Sequence, residues 1–221
     1  MYYAFIDDDI TYPPDYIAKL TAAAERHGRR AVVGVYGGFL SADAQGAASR
    51  YSRTCRLNVS DARGRAAVAA AMRAHPGENA TGAWCSGGVV QLDVAVPCDA
   101  EVDVLGTGTL LFHRSALLEL SPRDFDPSVN MADVIFAAHA KRAGARRVLV
   151  ARPANWLAFI ASPKERSVWE ELLKNDTLQT QRVLEHRPWL LGEGAAALRG
   201  GSAGARGTLT DICLGAEERR E

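Results

Sequence analysis

Three consecutive aspartates, Asp7, Asp8 and Asp9 (the aspartate triplet), follow an apolar run in the stretch FIDDDITYPPDYI. If the chain is extended here, Asp7 and Asp9 point to the same side, roughly 7 Å apart, because alternate side chains of a strand share a face. Carboxylates this close repel one another unless a positive group joins them. A hard divalent cation, which often bridges carboxylates to a phosphate, is the natural counter-charge. The alternative is that one aspartate caps the following helix and the others are hydrated, but three in a row favour metal or phosphate chemistry.

The segments around the triplet predict a strand, a helix and a second strand. Tyr2–Ile6 is short, aromatic and apolar, which is typical of a buried strand. Pro13 and Pro14 fit the first turn of a helix, where a missing N–H costs little, and Gly28 would end that helix. Residues 31–35 form the next predicted strand. This alternation favours an α/β fold.

The rest of the sequence predicts one α/β domain over residues 1–190 and a tail over residues 191–221. Residues 131–143 give the strongest helix, with one apolar face and Gly144 at its end. The tail is rich in Gly, Ala and Arg, and we expect it to be disordered. Further strands are predicted at 89–96, 102–105, 110–112 and 147–151, and further helices at 66–74, 115–120, 168–173 and 178–184.

Composition argues against several classes of function. The 221 residues carry 26 basic and 26 acidic side chains, so the balanced charge gives no general attraction to nucleic acid. The four cysteines form no C-x-x-C pair, and no histidine stands at zinc-finger spacing from them, so we expect reduced thiols. The sequence shows no signal peptide and no long apolar span. We therefore predict a cytoplasmic protein, either free or resting on the inner face of the membrane.

The stretch FIDDDITYPPDYI resembles the D-x-D region of GT-A glycosyltransferases, especially the family-2-like inverting enzymes of bacterial capsule and surface polysaccharide synthesis. Two later stretches resemble further parts of this family in the expected order: VDVLGTGTLLFHRSAL and FDPSVNMADVIFAAHAKRAGARRVLVAR. The shorter pieces ARPANWL and NDTLQTQRV resemble C-terminal parts of capsule-type relatives. The resemblance covers residues 2–185 and implies a GT-A fold, in which helices flank a mixed sheet.

The resemblance implies a transferase that uses Mn²⁺ or Mg²⁺. Asp9 and Asp7 would bind the metal, and Asp7, Asp8 and Asp9 together would hold the nucleotide-sugar donor, for which a UDP-sugar is favoured. The acceptor would be a growing surface glycan. Two other functions remain open. One is a non-catalytic scaffold that needs a partner chain, and the other is a metal-dependent nucleotidyltransferase, although the sequence has no basic, glycine-rich triphosphate loop.

Asp133 is the second acidic residue that the resemblance singles out. In the family, a carboxylate at this place is the general base. A hydroxyl is a poor nucleophile, so a base must take its proton as it attacks the anomeric carbon. The alternative is structural, because Asn130 can cap the helix with Asp133 three residues later, in an arrangement like a capping box.

The resemblance also implies a cleft for the sugar and the acceptor. Its lining would come from Gly106, Thr107, Gly108, Thr109, Asp103 and Trp156. Taken alone, the glycines indicate a turn, an aspartate at a strand end is usually hydrated, and a tryptophan usually packs. His113 and His139 are candidates for a third metal ligand, although a structural role is the simpler interpretation of each.

One expected part of such an enzyme does not precede the triplet in this sequence. In the family a nucleotide-binding half stands before the D-x-D strand, whereas here that strand begins at residue 2. Residues 1–190 would then be the metal and acceptor portion of an N-terminally truncated GT-A domain. The chain would then be a fragment, the product of a misplaced start, a degenerate protein, or a half whose nucleotide-binding part comes from a partner polypeptide. A sheet divided at this point would expose the edge or face of a central strand.

Overall fold

The computed structural model describes residues 1–40, 54–56, 87–116, 121, 124–125, 132–160, 177–186 and 189. Within these residues, strands and helices form a mixed α/β structure, which confirms the predicted class. The predicted tail over 191–221, the helices at 66–74 and 168–173 and most of the one at 115–120 lie outside the described residues.

The strands are β1 (Tyr2–Ile6), β2 (Ile10–Thr11), β3 (Ala31–Gly34), β4 (Gly37–Leu40), β5 (Thr54–Arg56), β6 (Gly87–Val90), β7 (Ala100–Glu101), β8 (Val104–Leu105), β9 (Thr109–His113), β10 (Arg146–Leu149) and β11 (Ala158–Phe159). The helices are α1 (Tyr16–Arg26), α2 (Ala132–Arg142) and α3 (Thr177–Glu185). No helix in the described part of the chain is long and apolar enough to cross a membrane.

The main sheet has the strand order β1-β9-β3-β10-β7. β3 and β10 run parallel, and the other neighbouring pairs of this sheet are antiparallel. A second sheet has the order β5-β6-β4-β8, and β2 pairs with β11. In the main sheet Ile6 faces Thr109, so the segment after β1 lies beside the segment before β9.

Each face of the main sheet is covered by a different helix. On one face α1 buries Leu20 and Ala23 in a cluster that includes Leu111. On the other face α2 buries Phe136 in a cluster that includes Phe112. Leu111 and Phe112 are neighbours in β9, and the alternation of a strand sends them to opposite faces. β9 is therefore buried on both sides and anchors the residues that precede it.

Helix α1 begins later than the sequence predicts. The N–H of Tyr16, its first residue, donates to the carbonyl of Pro13 at 3.0 Å, so Pro13 and Pro14 form a turn before the helix rather than its first turn. The C-terminus agrees with the prediction. Gly28 has a φ of +76°, a left-handed conformation that glycine adopts without steric cost, and it follows His27, the residue that caps the helix.

Strand β1 forms as predicted, but the prediction that it is buried is wrong. It is the edge strand of the main sheet among the described residues, and Tyr3, Phe5 and Ile6 are 47%, 40% and 64% exposed. Its aromatic side chains stack on β9, with ring centroids 5.5 Å from Tyr3 to Phe112 and 6.1 Å from Phe5 to Phe112. Aromatic composition therefore reflects packing on a neighbour here, not enclosure.

Cys98 forms a disulfide, so the expectation of reduced thiols is wrong for this residue. Whether two cysteines can pair depends on how close the fold brings their Cα atoms, which sequence spacing does not reveal. Disulfides are rare in the reducing cytoplasm and common in oxidising compartments. The bond therefore counts against the predicted cytoplasmic location.

Candidate functional site

The aspartate triplet lies in the loop between β1 and β2, and all three residues are exposed. The far end of this loop is fixed by backbone pairing. The N–H of Ile160 donates to the carbonyl of Asp9 at 2.6 Å, and the following strand β2 pairs with β11. The triplet is thus held between an edge strand of the main sheet and a separate two-stranded ribbon.

Residues 106–109, which we call the glycine turn, lie directly against the triplet. The N–H of Thr109 donates to the carbonyl of Gly106 at 3.1 Å, and this bond closes the turn before β9. A Cβ atom at Gly108 would lie 1.8 Å from Oδ2 of Asp7, so the Asp7 carboxylate occupies the space that any other residue would fill. The predicted turn glycine is therefore required for contact with Asp7.

Tyr12 joins the loop and the turn. Its hydroxyl accepts a hydrogen bond from the N–H of Asp7 at 2.8 Å and donates one to the carbonyl of Gly108 at 2.6 Å. Its ring packs against Tyr16, with the ring centroids 4.7 Å apart. The phenol thus links two segments that are 96 residues apart in the sequence.

The electrostatics of the triplet are those of crowded like charges. Partial burial, followed by the charges of Asp9 and Asp8, raises the pKa of Asp7. Among the described residues, none of the three aspartates takes part in an ion pair within 4 Å. Such a site has a negative charge that a cation would neutralise, and the binding of a metal here stays a prediction.

The donor atoms here suit a hard cation, although they do not complete its coordination. Carboxylate oxygens are the ligands that Mg²⁺ and Mn²⁺ prefer. Within the described ranges no three His, Cys, Asp or Glu side chains are arranged together to hold a metal ion. A metal at Asp7 and Asp9 would therefore need oxygens from a phosphate or from water, as Mg²⁺ commonly does.

Asp133 is connected to the same turn through Tyr36. It lies in the first turn of α2, where its Oδ1 accepts a hydrogen bond from the N–H of Val134 at 3.1 Å. Burial, and then the charge of Asp133, raises the pKa of Tyr36. The Tyr36 ring in turn packs on Gly106, where an added Cβ would lie 2.3 Å from its Cδ1. The glycine turn therefore contacts Asp7 through Gly108 and, through Gly106, the tyrosine on which the charge of Asp133 acts.

Asp103 is in the interior of the protein, which contradicts its predicted place in the lining of the cleft. The residue is fully buried, and its Oδ2 accepts a hydrogen bond from the N–H of Leu40 at 2.9 Å. Its own N–H donates to the carbonyl of Gly38 at 3.0 Å. Asp103 thus ties β4 to the segment that leads into β8, and its burial withholds the carboxylate from a sugar.

The two candidate histidines are not beside the triplet. His113 is at the far end of β9, opposite Tyr2, about 13 Å along the strand from Thr109 at the usual rise per residue. His139 lies at the C-terminal half of α2, with its Nε2 3.6 Å from Asp124. Burial, and then the charge of Arg142, lowers the pKa of His139. Both positions fit the structural interpretation.

Trp156 lies near the start of α1 rather than at the glycine turn. Its Nε1 donates to Asp15 at 3.2 Å, and the ammonium group of Lys19 lies 4.5 Å from the centre of its ring. Its ring centroid is 5.8 Å from that of Tyr16. The indole is half-buried by these contacts, which agree with the simpler expectation that a tryptophan packs.

Two residues of this site, Tyr12 and Tyr36, were not predicted from the sequence. Each acts through a contact with the glycine turn, and no periodic pattern marks such a contact. Comparison of the chain with protein-family models and with curated proteins finds no match. The geometry and the sequence resemblance are therefore the grounds for a functional proposal.

Proposed function

We propose that this chain is the metal and acceptor portion of an inverting GT-A glycosyltransferase, which moves a sugar from a nucleotide-sugar to a glycan acceptor. One observation carries the proposal: the glycine turn contacts the Asp7 carboxylate through Gly108 and the Tyr36 ring through Gly106, and the charge of Asp133 acts on Tyr36. The turn is thus in contact with an acidic loop suited to a metal and a diphosphate, and with a tyrosine that is within electrostatic range of a second carboxylate.

In this proposal the residues divide the work as the resemblance implies. Asp9 and Asp7 would hold Mn²⁺ or Mg²⁺, which when bound stabilises the departing nucleoside diphosphate. Asp8 would help to hold the same donor. Asp133 accepts the proton of the acceptor hydroxyl while the oxygen bonds to the anomeric carbon, and the nucleoside diphosphate leaves from the opposite side with the bonding electrons. The configuration at that carbon is therefore inverted.

We also propose that the base and ribose of the donor are held by a nucleotide-binding part on a partner polypeptide. The outer edge of β1 supports this, because no strand of the described residues pairs with it and apolar side chains of β1 are exposed. Edge strands of this kind are templates for pairing with another strand. The partner would place its nucleotide site next to the aspartate triplet, which begins directly after β1.

The proposed location is the cytoplasm, at the inner face of the membrane where a growing surface glycan would be extended. The disulfide of Cys98 is the observation that challenges it. Titration of free thiols in protein purified under alkylating conditions from intact cells decides the matter. Full labelling of Cys98 agrees with a cytoplasmic protein, and a protected Cys98 contradicts it.

The experiment that tests the proposed function is calorimetric titration of the purified chain with UDP and other nucleoside diphosphates, with and without Mn²⁺. We expect binding that requires Mn²⁺ and that is lost in Asp9→Ala. Glu185→Ala is the matched control, because it removes an exposed carboxylate of α3 that pairs with Arg182. Binding that appears only when a nucleotide-binding partner is added would assign the base and ribose contacts to that partner. Absence of binding, both by the chain alone and by the chain with the partner, would overturn the proposal.

A further inference from the structure

The hydroxyl of Tyr12 has both of its strong hydrogen-bonding roles filled by the backbone of the candidate site. It accepts from the N–H of Asp7 at 2.8 Å, and its single proton has two acceptors within reach. The carbonyl of Gly108 is 2.6 Å away and that of Asp7 is 3.4 Å away, so the proton goes to Gly108. One phenol therefore fixes the first residue of the triplet and the centre of the glycine turn relative to each other.

The ring that carries this hydroxyl is itself held in place. It packs against Tyr16, which is 98% buried beneath it, with the two ring centroids 4.7 Å apart. Tyr12 is half-buried and belongs to the cluster that α1 forms on the main sheet. Because this packing leaves the phenol few side-chain rotations, its hydroxyl is held at a fixed position.

The Tyr12 hydroxyl holds the backbone of Asp7, and the carboxylate of Asp7 lies against the glycine turn. The carboxylate rests on the Cα of Gly108, with its Oδ2 in the space that a Cβ would occupy. Asp8 and Asp9 follow Asp7 directly in the same exposed loop, so like charges crowd this carboxylate. Without a tether, the loop would relieve that repulsion by turning Asp7 outward.

We propose that Tyr12 is a positioning residue, whose hydroxyl holds Asp7 against Gly108 and thereby sets the affinity of the aspartate triplet for a divalent cation. The inference rests on the proposed function, since it assumes that the triplet binds a metal. Groups that orient metal ligands through hydrogen bonds typically change metal affinity 10- to 100-fold when they are removed. Tyr12 touches the ligand residue and not the metal.

The test compares Tyr12→Phe with Tyr3→Phe in the full chain. Tyr12→Phe keeps the ring and its packing on Tyr16, and removes only the bonds to Asp7 and Gly108. Tyr3→Phe removes a hydroxyl from a half-exposed tyrosine of β1 and serves as the matched control. The readouts are Mn²⁺ affinity by electron paramagnetic resonance and hydrogen exchange of the Asp7 amide by NMR, with circular dichroism to show that each variant is folded.

We expect Tyr12→Phe to bind Mn²⁺ about 10- to 100-fold more weakly than the wild type and to exchange the Asp7 amide faster, while Tyr3→Phe changes neither. Unchanged affinity in a folded Tyr12→Phe, with wild-type binding intact, would overturn the inference and leave the proposed function standing. A wild type that binds no Mn²⁺ would overturn both. If Tyr12→Phe does not fold, the hydroxyl has a global structural role and the inference is overturned as well.

Discussion

Asp7 and Asp99 are both aspartates at the end of an apolar segment, yet the protein treats their charges in opposite ways. Asp99 is buried and surrounded by donors: Arg26 at 2.9 Å, His27 at 3.0 Å and the N–H of Ala151 at 2.8 Å. Asp7 has Asp8 and Asp9 as its charged neighbours. The pKa of Asp99 is lowered and that of Asp7 is raised.

This difference separates a carboxylate that serves the fold from one that is available to a ligand. The bonds of Asp99 join the C-terminal end of α1 to the segment after β10, so its charge stabilises the packing of these two elements. The charge of Asp7 is kept in place by a backbone turn and a tyrosine, and it is not neutralised by them. Site carboxylates are thus distinguished by what surrounds them, not by their residue type.

The largest expected effect concerns Asp133, which has a local hydrogen bond and whose charge acts on Tyr36. Asp133→Asn keeps an oxygen for the N–H of Val134 but cannot accept a proton. We expect kcat for sugar transfer, with a donor and acceptor pair that turns over, to fall about 10²- to 10⁴-fold while binding of UDP with Mn²⁺ stays unchanged. Glu185→Gln is the control. An unchanged kcat would assign Asp133 to the start of α2 alone.

The comparison of Asp99 with Asp7 predicts opposite effects on stability. Asp99→Asn removes the charge that Arg26 and His27 bind inside the protein, and we expect the free energy of unfolding to fall by about 2 kcal/mol at pH 7. Asp7→Asn removes a repelled charge, so stability should stay the same or rise. Urea unfolding of both variants measures the difference. Equal losses in the two variants would show that the charge of Asp7 stabilises the fold as much as that of Asp99.

The pH dependence of the same pair sharpens the distinction. Burial raises the pKa of Asp99, but the bonds from His27, the Ala151 N–H and Arg26 together outweigh it, and the folded pKa lies below the ordinary value. The stability from this group is present above the unfolded pKa of about 3.9 and is lost as the pH falls through the folded value. The gap between wild type and Asp99→Asn should therefore shrink below about pH 4. A gap that stayed constant to lower pH would contradict this.

The smallest effect on binding is expected from the glycine turn. Gly108→Ala adds a methyl group in the space of the Asp7 carboxylate and should weaken Mn²⁺ binding about tenfold by displacing it. Gly144→Ala is the matched control, since its φ of +66° makes alanine costly to stability by about 1 kcal/mol without any contact with the triplet. If both variants weaken binding equally, lost stability and not displacement is the cause.

Much of the fold could be predicted because its strongest elements are governed by local pattern. The predicted strands at 110–112 and 147–151 and the helices at 131–143 and 178–184 correspond to β9, β10, α2 and α3, with ends that differ by one or two residues. The strand predicted at 89–96 ends early, at Val90. The guanidinium of Arg152 donates to the carbonyls of Gln91 and Val94. Hydrogen bonds from a distant side chain therefore replace strand-to-strand pairing at these two residues.

The acidic and glycine-containing segments of the site could be predicted from the sequence, but Tyr12, Tyr36 and the arrangement of the site could not. The aspartate triplet is a local signal, and the glycines of residues 106–109 indicate a turn. Their contact depends on the register that sets Ile6 opposite Thr109, which no local pattern contains. The burial of Asp103 has the same origin, since its hydrogen-bond partner Leu40 is 63 residues away.

The pairing of β1 with β9 also determines how late in synthesis this part of the sheet can form. β1 ends at Ile6, and the strand that receives it begins at Thr109, so more than a hundred residues must be synthesised before the two can meet. At about 5–20 residues per second this takes roughly 5–20 seconds. During that time β1 lacks the partner strand β9, and the aromatic side chains that stack on Phe112 in the folded protein have not yet met it.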